Sequence, residues 1–178
     1  MKIHIIGASG TGKTFYADKI SKQYNLPHFD LDDIFWDNNA ISYGTRMPIE
    51  RRTELLNKIL VTENWIIEGV YYKWLIDSFS SADWIFILKT SPIVFNYRII
   101  KRFIKRKLGI QKGKKETIKS LYELLVWTNN YHKYDISKII EFLNEYKNKT
   151  VLVKKSKDIY DHLQIIKWTL KDFYTLLD

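Results

Sequence analysis

The stretch KIHIIGASGTGKTFYADKI, residues 2–20, decides the fold of this chain. Its apolar run at residues 3–6 predicts a short buried strand, and residues 13–24 predict a helix. Between them, residues 7–14 contain a glycine, four further residues and then Gly-Lys-Thr. This spacing is typical of a phosphate-binding loop, which needs a strand before it and a helix after it.

The loop predicts a nucleoside triphosphate as ligand. Its backbone N–H groups can curl around an anion because glycine permits the turn, and the following helix directs its positive end at the same place. The Lys13 side chain is expected to reach the β and γ phosphates, and the Thr14 hydroxyl to bind Mg²⁺. The expected ATP-binding residues are Gly7, Ser9, Gly10, Thr11, Gly12, Lys13 and Thr14.

Length and composition indicate a globular chain. The 178 residues fit one domain, residues 1–178, and 46% apolar with 28% charged residues is a globular balance. The absence of cysteine excludes disulfides, thiolate metal sites and cysteine nucleophiles. No apolar run reaches the length of a signal-peptide core or a membrane span, so we expect a cytoplasmic protein, monomeric or homodimeric, without a membrane partner.

Strands and helices alternate along the chain. Such an order predicts βαβ units, a parallel sheet with right-handed crossovers and an α/β fold. Further strands are expected at residues 27–30, 64–69, 82–90 and 149–155, and further helices at 48–61, 93–107, 115–131, 135–147 and 158–176.

Acidic residues follow two of the predicted strands, where an open α/β sheet gathers its ligands. Asp30, Asp32 and Asp33 follow the second strand, and Glu68 ends the third. In an extended chain Asp30 and Asp32 face the same way, as needed to share a metal or to take a proton from an acceptor hydroxyl. Helix capping is the alternative for the aspartates, and a solvated strand end for Glu68. The candidate metal ligands are thus Thr14, Asp30, Asp32 and Glu68.

The net charge of +9 is concentrated in one segment. Residues 98–119 contain ten Lys or Arg and one acid, and we call them the basic segment. Its residues Arg98, Arg102 and Arg106 recur every four positions and so share one helix face. They are candidate catalytic residues, since arginines brought over a phosphate site neutralise the charge of the transferring group. The glycines at 109 and 113 suit a mobile lid.

Two alternatives stay open for the basic segment. One is a solvated, lysine-rich helix face. The other is binding of nucleic-acid phosphates, which the nearby aromatic residues could support by stacking on bases. Because these aromatics occupy helical positions, the core is their more common place; they are Tyr97, Phe103, Tyr122 and Trp127.

Together, the phosphate loop, HFDLDDIFW, WIIEGVYYKW, ADWIFILKTSP and the arginine-bearing helix resemble the adenylate-kinase-like P-loop kinases. Within that group they are most similar to the proteins labelled DNA topology modulation proteins. The resemblance implies a three-layer α/β/α P-loop fold with a five-stranded parallel sheet in the order 2-3-1-4-5. It also implies a helical lid after the fourth strand and an acceptor region after the second.

The resemblance also implies roles for residues. Asp30 and Asp32 match the acid-x-acid pair of shikimate-kinase-like relatives, and Glu68-Gly69 matches their Asp-Gly. Arg98, Arg102 or Arg106 would be lid arginines, and residues 155–158 would border the adenine.

The chain also departs from this family. Nucleoside monophosphate kinases follow Asp-Gly with Pro-Arg, whereas here Glu68-Gly69 is followed by Val-Tyr-Tyr-Lys, which disfavours an ordinary adenylate kinase. Arg46, Arg51 and Arg52 are candidate replacements for the missing acceptor-binding arginine; the alternative for them is exposed helix charge.

The sequence therefore predicts an ATP- and Mg²⁺-dependent kinase that phosphorylates a nucleotide or another small hydroxylated metabolite. The expected catalytic residues are Lys13, Asp32 and the three arginines of the basic segment. A nucleotide-dependent DNA topology modulation or regulatory protein, which contacts nucleic acid through the basic segment, is the alternative. The expected acceptor-binding residues are Asp32, Arg46, Arg51, Glu68 and Gly69.

Overall fold

The computed structural model describes residues 1–37, 40, 44–111 and 117–164. Five parallel strands within these ranges form one sheet in the order β2-β3-β1-β4-β5, so the predicted topology is confirmed. The strands are β1 (Lys2–Gly7), β2 (His28–Asp30), β3 (Trp65–Gly69), β4 (Trp84–Leu88) and β5 (Thr150–Val153).

Helices cover both faces of the sheet. They are α1 (Lys13–Tyr24), α2 (Leu31–Phe35), α3 (Ile49–Leu60), α4 (Ile76–Ser81), α5 (Pro92–Lys107), α6 (Ile118–Asn130) and α7 (Ile136–Phe142). Residues 158–164 are also helical, and the rest of the predicted closing helix lies outside the described residues. No helix of the described ranges is long and apolar enough to cross a membrane.

The structure differs from the predicted elements in several places. The expected break between the helices at 131 and 135 is absent, because a π-helical turn, Tyr131–Asp135, joins α6 directly to α7. The helix expected up to residue 147 ends at Phe142 and continues as a 3-10 helix, Asn144–Lys149. Helix α4 has too few residues to show a helical period and was not predicted.

The sheet is buried on both faces, as expected when helices cover a parallel sheet. Successive residues of β4 alternate between two apolar clusters: Ile85 and Ile87 belong to one, Phe86 and Leu88 to the other. In the first cluster Trp65 and Phe79 are fully buried. The result is a three-layer α/β/α architecture.

The strand register brings distant residues to one edge of the sheet. Glu68 of β3 lies beside Asp30 of β2 on one side and Ile5 of β1 on the other. Because all strands are parallel, their carboxyl ends meet where β1 leads into the glycine-rich loop.

Candidate phosphate and acceptor site

The glycine-rich loop needs glycine at two positions. Gly10 and Gly12 have φ values of +73° and +101°, in the left-handed region that favours glycine. A Cβ at Gly10 would lie 2.7 Å from the Phe95 carbonyl oxygen, and one at Gly12 would lie 2.9 Å from Ser156 Oγ. The loop is thus closely enclosed by α5 and by the segment after β5.

Lys13 and Thr14 both meet Glu68. The Lys13 Nζ lies 3.8 Å from Glu68 Oε2 and donates to the Ala8 carbonyl oxygen at 3.1 Å. The Thr14 hydroxyl donates to Glu68 Oε1 at 2.6 Å. The start of α1 and the end of β3 therefore place an ammonium, a hydroxyl and a carboxylate in one cluster.

Glu68 is buried, with 1% of its surface exposed. The alternative of a solvated strand end is therefore wrong. A buried carboxylate is costly unless it is paired, and here Lys13 and Thr14 provide that pairing.

Asp30 caps a helix and also belongs to this acidic edge. Its side chain accepts a hydrogen bond from the Asp32 backbone N–H at 2.9 Å, which makes it the N-cap of α2. Burial, and next the neighbouring charge of Glu68, raise the pKa of Asp30 to about 6. The capping alternative is thus correct for Asp30, which in addition lies beside Glu68 in the sheet.

Asp32 is oriented by a tyrosine. The argument that Asp30 and Asp32 face the same way in an extended chain is wrong, because the strand ends at Asp30 and Leu31 begins α2. The exposed Asp32 instead accepts a hydrogen bond from the Tyr71 hydroxyl at 2.8 Å. The structure therefore places Asp32 toward the segment that follows β3.

The predicted metal ligands are only partly brought together. Thr14 and Glu68 are in direct contact, and Asp30 is next to Glu68 in the sheet. Among the described residues, no three His, Cys, Asp or Glu side chains converge on a possible ion position. Thr14 and Glu68 are oxygen donors of the kind Mg²⁺ prefers, and Mg²⁺ usually takes only one or two carboxylates, with phosphates and water as its other ligands. The donor set therefore fits a magnesium ion bound together with a nucleotide.

Two arginines of the basic segment lie against the loop. Arg98 Nη1 donates to the Thr11 carbonyl oxygen at 2.8 Å, and Arg102 Nη2 lies 3.5 Å from Ser9 Oγ. Arg106 is half-buried on the same face of α5. This face is directed at the loop, so the alternative of a wholly solvated helix face does not describe it.

The opposite face of α5 and the exposed side of α6 carry aromatic residues. Tyr97 and Tyr122 are 61% and 68% exposed, and Trp127 is 42% exposed. The expectation that these residues lie in the core is wrong, because α5 buries the face that carries Phe95 and Ile99. Phe103 is half-buried.

An aromatic cluster that the sequence analysis missed lies beside Asp32. Phe35 and Tyr71 stack with ring centroids 4.2 Å apart, and Trp74 lies 6.1 Å from Tyr71. The guanidinium of Arg52 is 4.8 Å from the centroid of Phe35. No local pattern indicates this cluster, because its members come from three segments that only the fold brings together.

The other three predicted acceptor-binding residues, Arg46, Arg51 and Gly69, have different surroundings. Arg46 lies 5.7 Å from the Phe35 centroid, whereas the exposed Arg51 forms an ion pair with Glu54 at 2.5 Å. Gly69 packs against Leu31, since a Cβ there would lie 2.9 Å from the Leu31 Cβ. Its small size is therefore needed for packing of α2 on the sheet.

Comparison with curated proteins gives partial matches. No protein-family model matches the chain. The uncharacterized protein YqaC of Bacillus subtilis strain 168 is 34% identical over 73 residues, 40% of this chain and 39% of that protein. The adenylate kinase of Clostridium perfringens strain SM101 is 39% identical over 70 residues, 39% of this chain and 32% of the enzyme. The adenylate kinase of Wigglesworthia glossinidia brevipalpis is 38% identical over 68 residues, 38% of this chain and 31% of the enzyme.

Two solved structures are similar to the chain at low identity. A gluconokinase from Sinorhizobium meliloti 1021 matches with a TM-score of 0.47 and 18% identity, over 86% of this chain and 81% of that one. A shikimate kinase from Bacteroides thetaiotaomicron matches with a TM-score of 0.49 and 15% identity, over 96% of this chain and 98% of that one. The curated matches cover less than two fifths of the length of each relative. Over about two fifths of its length the chain is thus similar to adenylate kinases, and its strand order and glycine-rich loop are those that the sequence predicts for a P-loop fold.

Proposed function

We propose that this protein is an ATP-dependent phosphotransferase that acts on a small acceptor molecule. The observation that carries the proposal is the cluster of Lys13, Thr14 and Glu68 at the start of α1, directly after the glycine-rich loop. An ammonium, a hydroxyl and a buried carboxylate at that position suit phosphoryl transfer, in which catalysis depends on positioning and charge.

The loop residues would bind the triphosphate through backbone N–H groups, and Lys13 would contact the β and γ phosphates. Thr14 and Glu68, with Asp30 beside them, would hold Mg²⁺, which neutralises charge on the phosphates. Arg98 stabilises the loop through the Thr11 carbonyl, and Arg102 and Arg106 would neutralise the transferring group. Ser156, close to Gly12, would border the adenine.

The acceptor would lie between the loop and α2. Asp32 has an exposed carboxylate that can accept the proton of an acceptor hydroxyl, and the Tyr71 hydroxyl holds that carboxylate in place. Glu68 and Gly69, both buried at the end of β3, would lie beneath this region. No nucleophile on the protein is required.

The experiment that tests the proposal is ADP release from Mg·ATP across a panel of nucleoside monophosphates, nucleosides and small hydroxylated metabolites. The variant Lys13→Ala serves as blank, and we expect at least one acceptor to raise the rate far above it. Binding of ATP without stimulation by any acceptor class would overturn the proposal.

A second candidate is a nucleotide-dependent regulator that binds nucleic acid, of the kind labelled DNA topology modulation proteins. The outward face of α5 favours it, because Tyr97 is exposed and Lys101 Nζ lies 5.6 Å from its ring centroid. Exposed aromatics with lysines suit stacking and phosphate contacts. DNA retention that falls steeply with salt, and that Lys101→Gln weakens, would support this candidate.

A further inference from the structure

Helix α5 carries a second apolar face, which is exposed to solvent. We call it the outward stripe; its residues are each at least 40% exposed and recur every three or four positions: Ile93, Tyr97, Ile100 and Ile104. At about 100° per residue, these four positions lie within about 60° of one another around the helix. They are roughly opposite Phe95 and Ile99, which α5 buries against the rest of the molecule. The helix therefore has one apolar face packed in the protein and another directed away from it.

Helix α6 adds exposed apolar residues beside this stripe. The two helices are neighbours, because the side-chain amides of Asn96 and Asn129 exchange hydrogen bonds at 3.3 and 3.0 Å. Exposed apolar residues of α6 recur every four positions; they are Ile118, Tyr122 and Val126. Large exposed apolar surfaces mark places where a protein meets another protein or a membrane.

Positive charge flanks the outward stripe. The sequence of α5 contains six Lys or Arg and no acidic residue. Arg98 and Arg102 reach the glycine-rich loop, whereas Lys101, Lys105 and Lys107 are exposed. A partner on this face must therefore accept aliphatic side chains and carry negative charge. A second copy of the chain does not meet this requirement, since pairing two such helices brings like charges together.

An anionic membrane surface meets both requirements. Its acyl boundary takes up the apolar side of a helix that lies in the plane of the surface, and its headgroups attract lysines along the edges. Tyrosine, as at position 97, is enriched at the membrane interface. Nucleic acid would attract the same lysines, but its phosphates offer no apolar contact to Ile100 and Ile104. The aliphatic part of the stripe therefore favours a membrane.

We infer that the outward stripe of α5 binds the surface of an anionic membrane, with the helix parallel to that surface. The expectation of no membrane partner rested on the absence of a long apolar run. A stripe whose members are separated by polar residues forms no such run, and it suits binding on a membrane rather than across it. This inference goes beyond the proposed phosphotransferase and does not depend on it.

The first test is sedimentation of the protein with vesicles of phosphatidylcholine alone or mixed with phosphatidylserine. We expect binding to the mixed vesicles, and weaker binding at high salt. Ile100→Ser combined with Ile104→Ser should lower the partition constant about tenfold or more, since each buried methylene contributes about fourfold. The matched control is Ile49→Ser combined with Ile76→Ser, which makes the same change at exposed residues of α3 and α4.

The charge is tested in the same way. Lys101→Gln combined with Lys105→Gln should lower the partition constant on the mixed vesicles about tenfold or more, since each lysine near an anionic surface contributes about fivefold. Lys22→Gln combined with Lys58→Gln removes the same charge from exposed positions of α1 and α3 and should change it less than about twofold.

A second readout locates the bound face. Because the chain contains no cysteine, a single introduced cysteine carries a polarity-sensitive dye at one known position. We expect the emission of the dye to shift to the blue on mixed vesicles in Ile104→Cys and to stay unchanged in Ile49→Cys. Thermal unfolding shows that each variant keeps its fold, and the dye carries the test if a double variant does not fold.

Several outcomes would overturn the inference and leave a phosphotransferase in place. These are no binding of the wild type to mixed vesicles, equal losses in the α5 isoleucine pair and its control, or equal dye shifts at positions 104 and 49. A dimer that the α5 isoleucine pair dissociates would show that a second copy covers the stripe. Retention on DNA without binding to vesicles would assign the face to nucleic acid. Vesicle binding is measured without ATP, so its result is independent of ADP release.

Discussion

The Thr14 hydroxyl donates a hydrogen bond of 2.6 Å to the Glu68 carboxylate, across 54 positions of the chain. The same carboxylate lies 3.8 Å from Lys13 Nζ and is almost fully buried. This contact joins the phosphate loop to the end of β3. It places Thr14, a proposed Mg²⁺ ligand, next to the strand that leads to the proposed acceptor region.

Replacing Glu68 should test this junction. In Glu68→Gln we expect ADP release to fall about a hundredfold, since charge placed at a phosphoryl-transfer site contributes on that scale. The Mg²⁺ concentration for half-maximal rate should rise. The matched control is Glu63→Gln, which makes the same change at an exposed residue just before β3. Equal rates for the two variants would exclude Glu68 from the site.

The raised pKa of Asp30 predicts a pH dependence of stability. Its pKa is about 6 in the folded protein and 3.8 as the reference value, so the folded state binds the proton more tightly. The stability from protonated Asp30 is therefore fully present below pH 3.8 and is lost as pH rises through 6.

The measurement is chemical unfolding of the wild type and Asp30→Asn at pH 4 and pH 7. Asn keeps the N-cap but does not titrate. From pH 4 to pH 7 we expect the free energy of unfolding of the wild type to fall by about 1–2 kcal/mol relative to that of Asp30→Asn. This figure allows for solvent screening of a partly exposed side chain. If the free energies of unfolding of the two proteins change in parallel with pH, the pKa of Asp30 is not raised in the folded protein.

Alanine at Gly10 should destabilise the loop in two ways. The φ of +73° imposes backbone strain of about 1–2 kcal/mol on alanine, and overlap with the Phe95 carbonyl adds about 1–3 kcal/mol. Gly44 is the control, because its φ is +78° and a Cβ there would meet nothing within 4 Å. The free energies of unfolding of Gly10→Ala and Gly44→Ala should differ by the overlap alone, and ATP binding should be lost only in Gly10→Ala. Identical free energies of unfolding for the two variants would mean that α5 leaves room for a Cβ at Gly10.

The contact of Arg98 with the loop should affect nucleotide affinity. Arg98→Gln removes the hydrogen bond to the Thr11 carbonyl, and bonds from charged donors contribute about 1.5–3 kcal/mol before screening. We therefore expect the ATP dissociation constant to rise roughly threefold to tenfold by calorimetry. Lys101→Gln removes the same charge from the exposed side of α5 and should leave ATP affinity unchanged. An equal rise of the ATP dissociation constant in both variants would indicate that the loss of positive charge, and not the contact with the loop, lowers the affinity.

Local patterns predicted much of the fold correctly. The helix at residues 13–24 has the predicted bounds, and each predicted strand is found within two residues of its expected ends. The reason is that glycine spacing and short apolar runs act over a few neighbouring residues. The strand order, by contrast, came from the family resemblance, since pairing partners are distant in sequence.

The sequence by itself determined that a glycine-rich loop lies between a strand and a helix, and that acids follow the neighbouring strands. Only the tertiary structure decided which side chains face the site. Arg51 and Arg52 are neighbours, and a helix turns by about 100° per residue, so one is paired with Glu54 and the other lies between Phe35 and Trp74. Those aromatic residues reach Arg52 from other segments, and such long-range packing leaves no periodic signal in the chain.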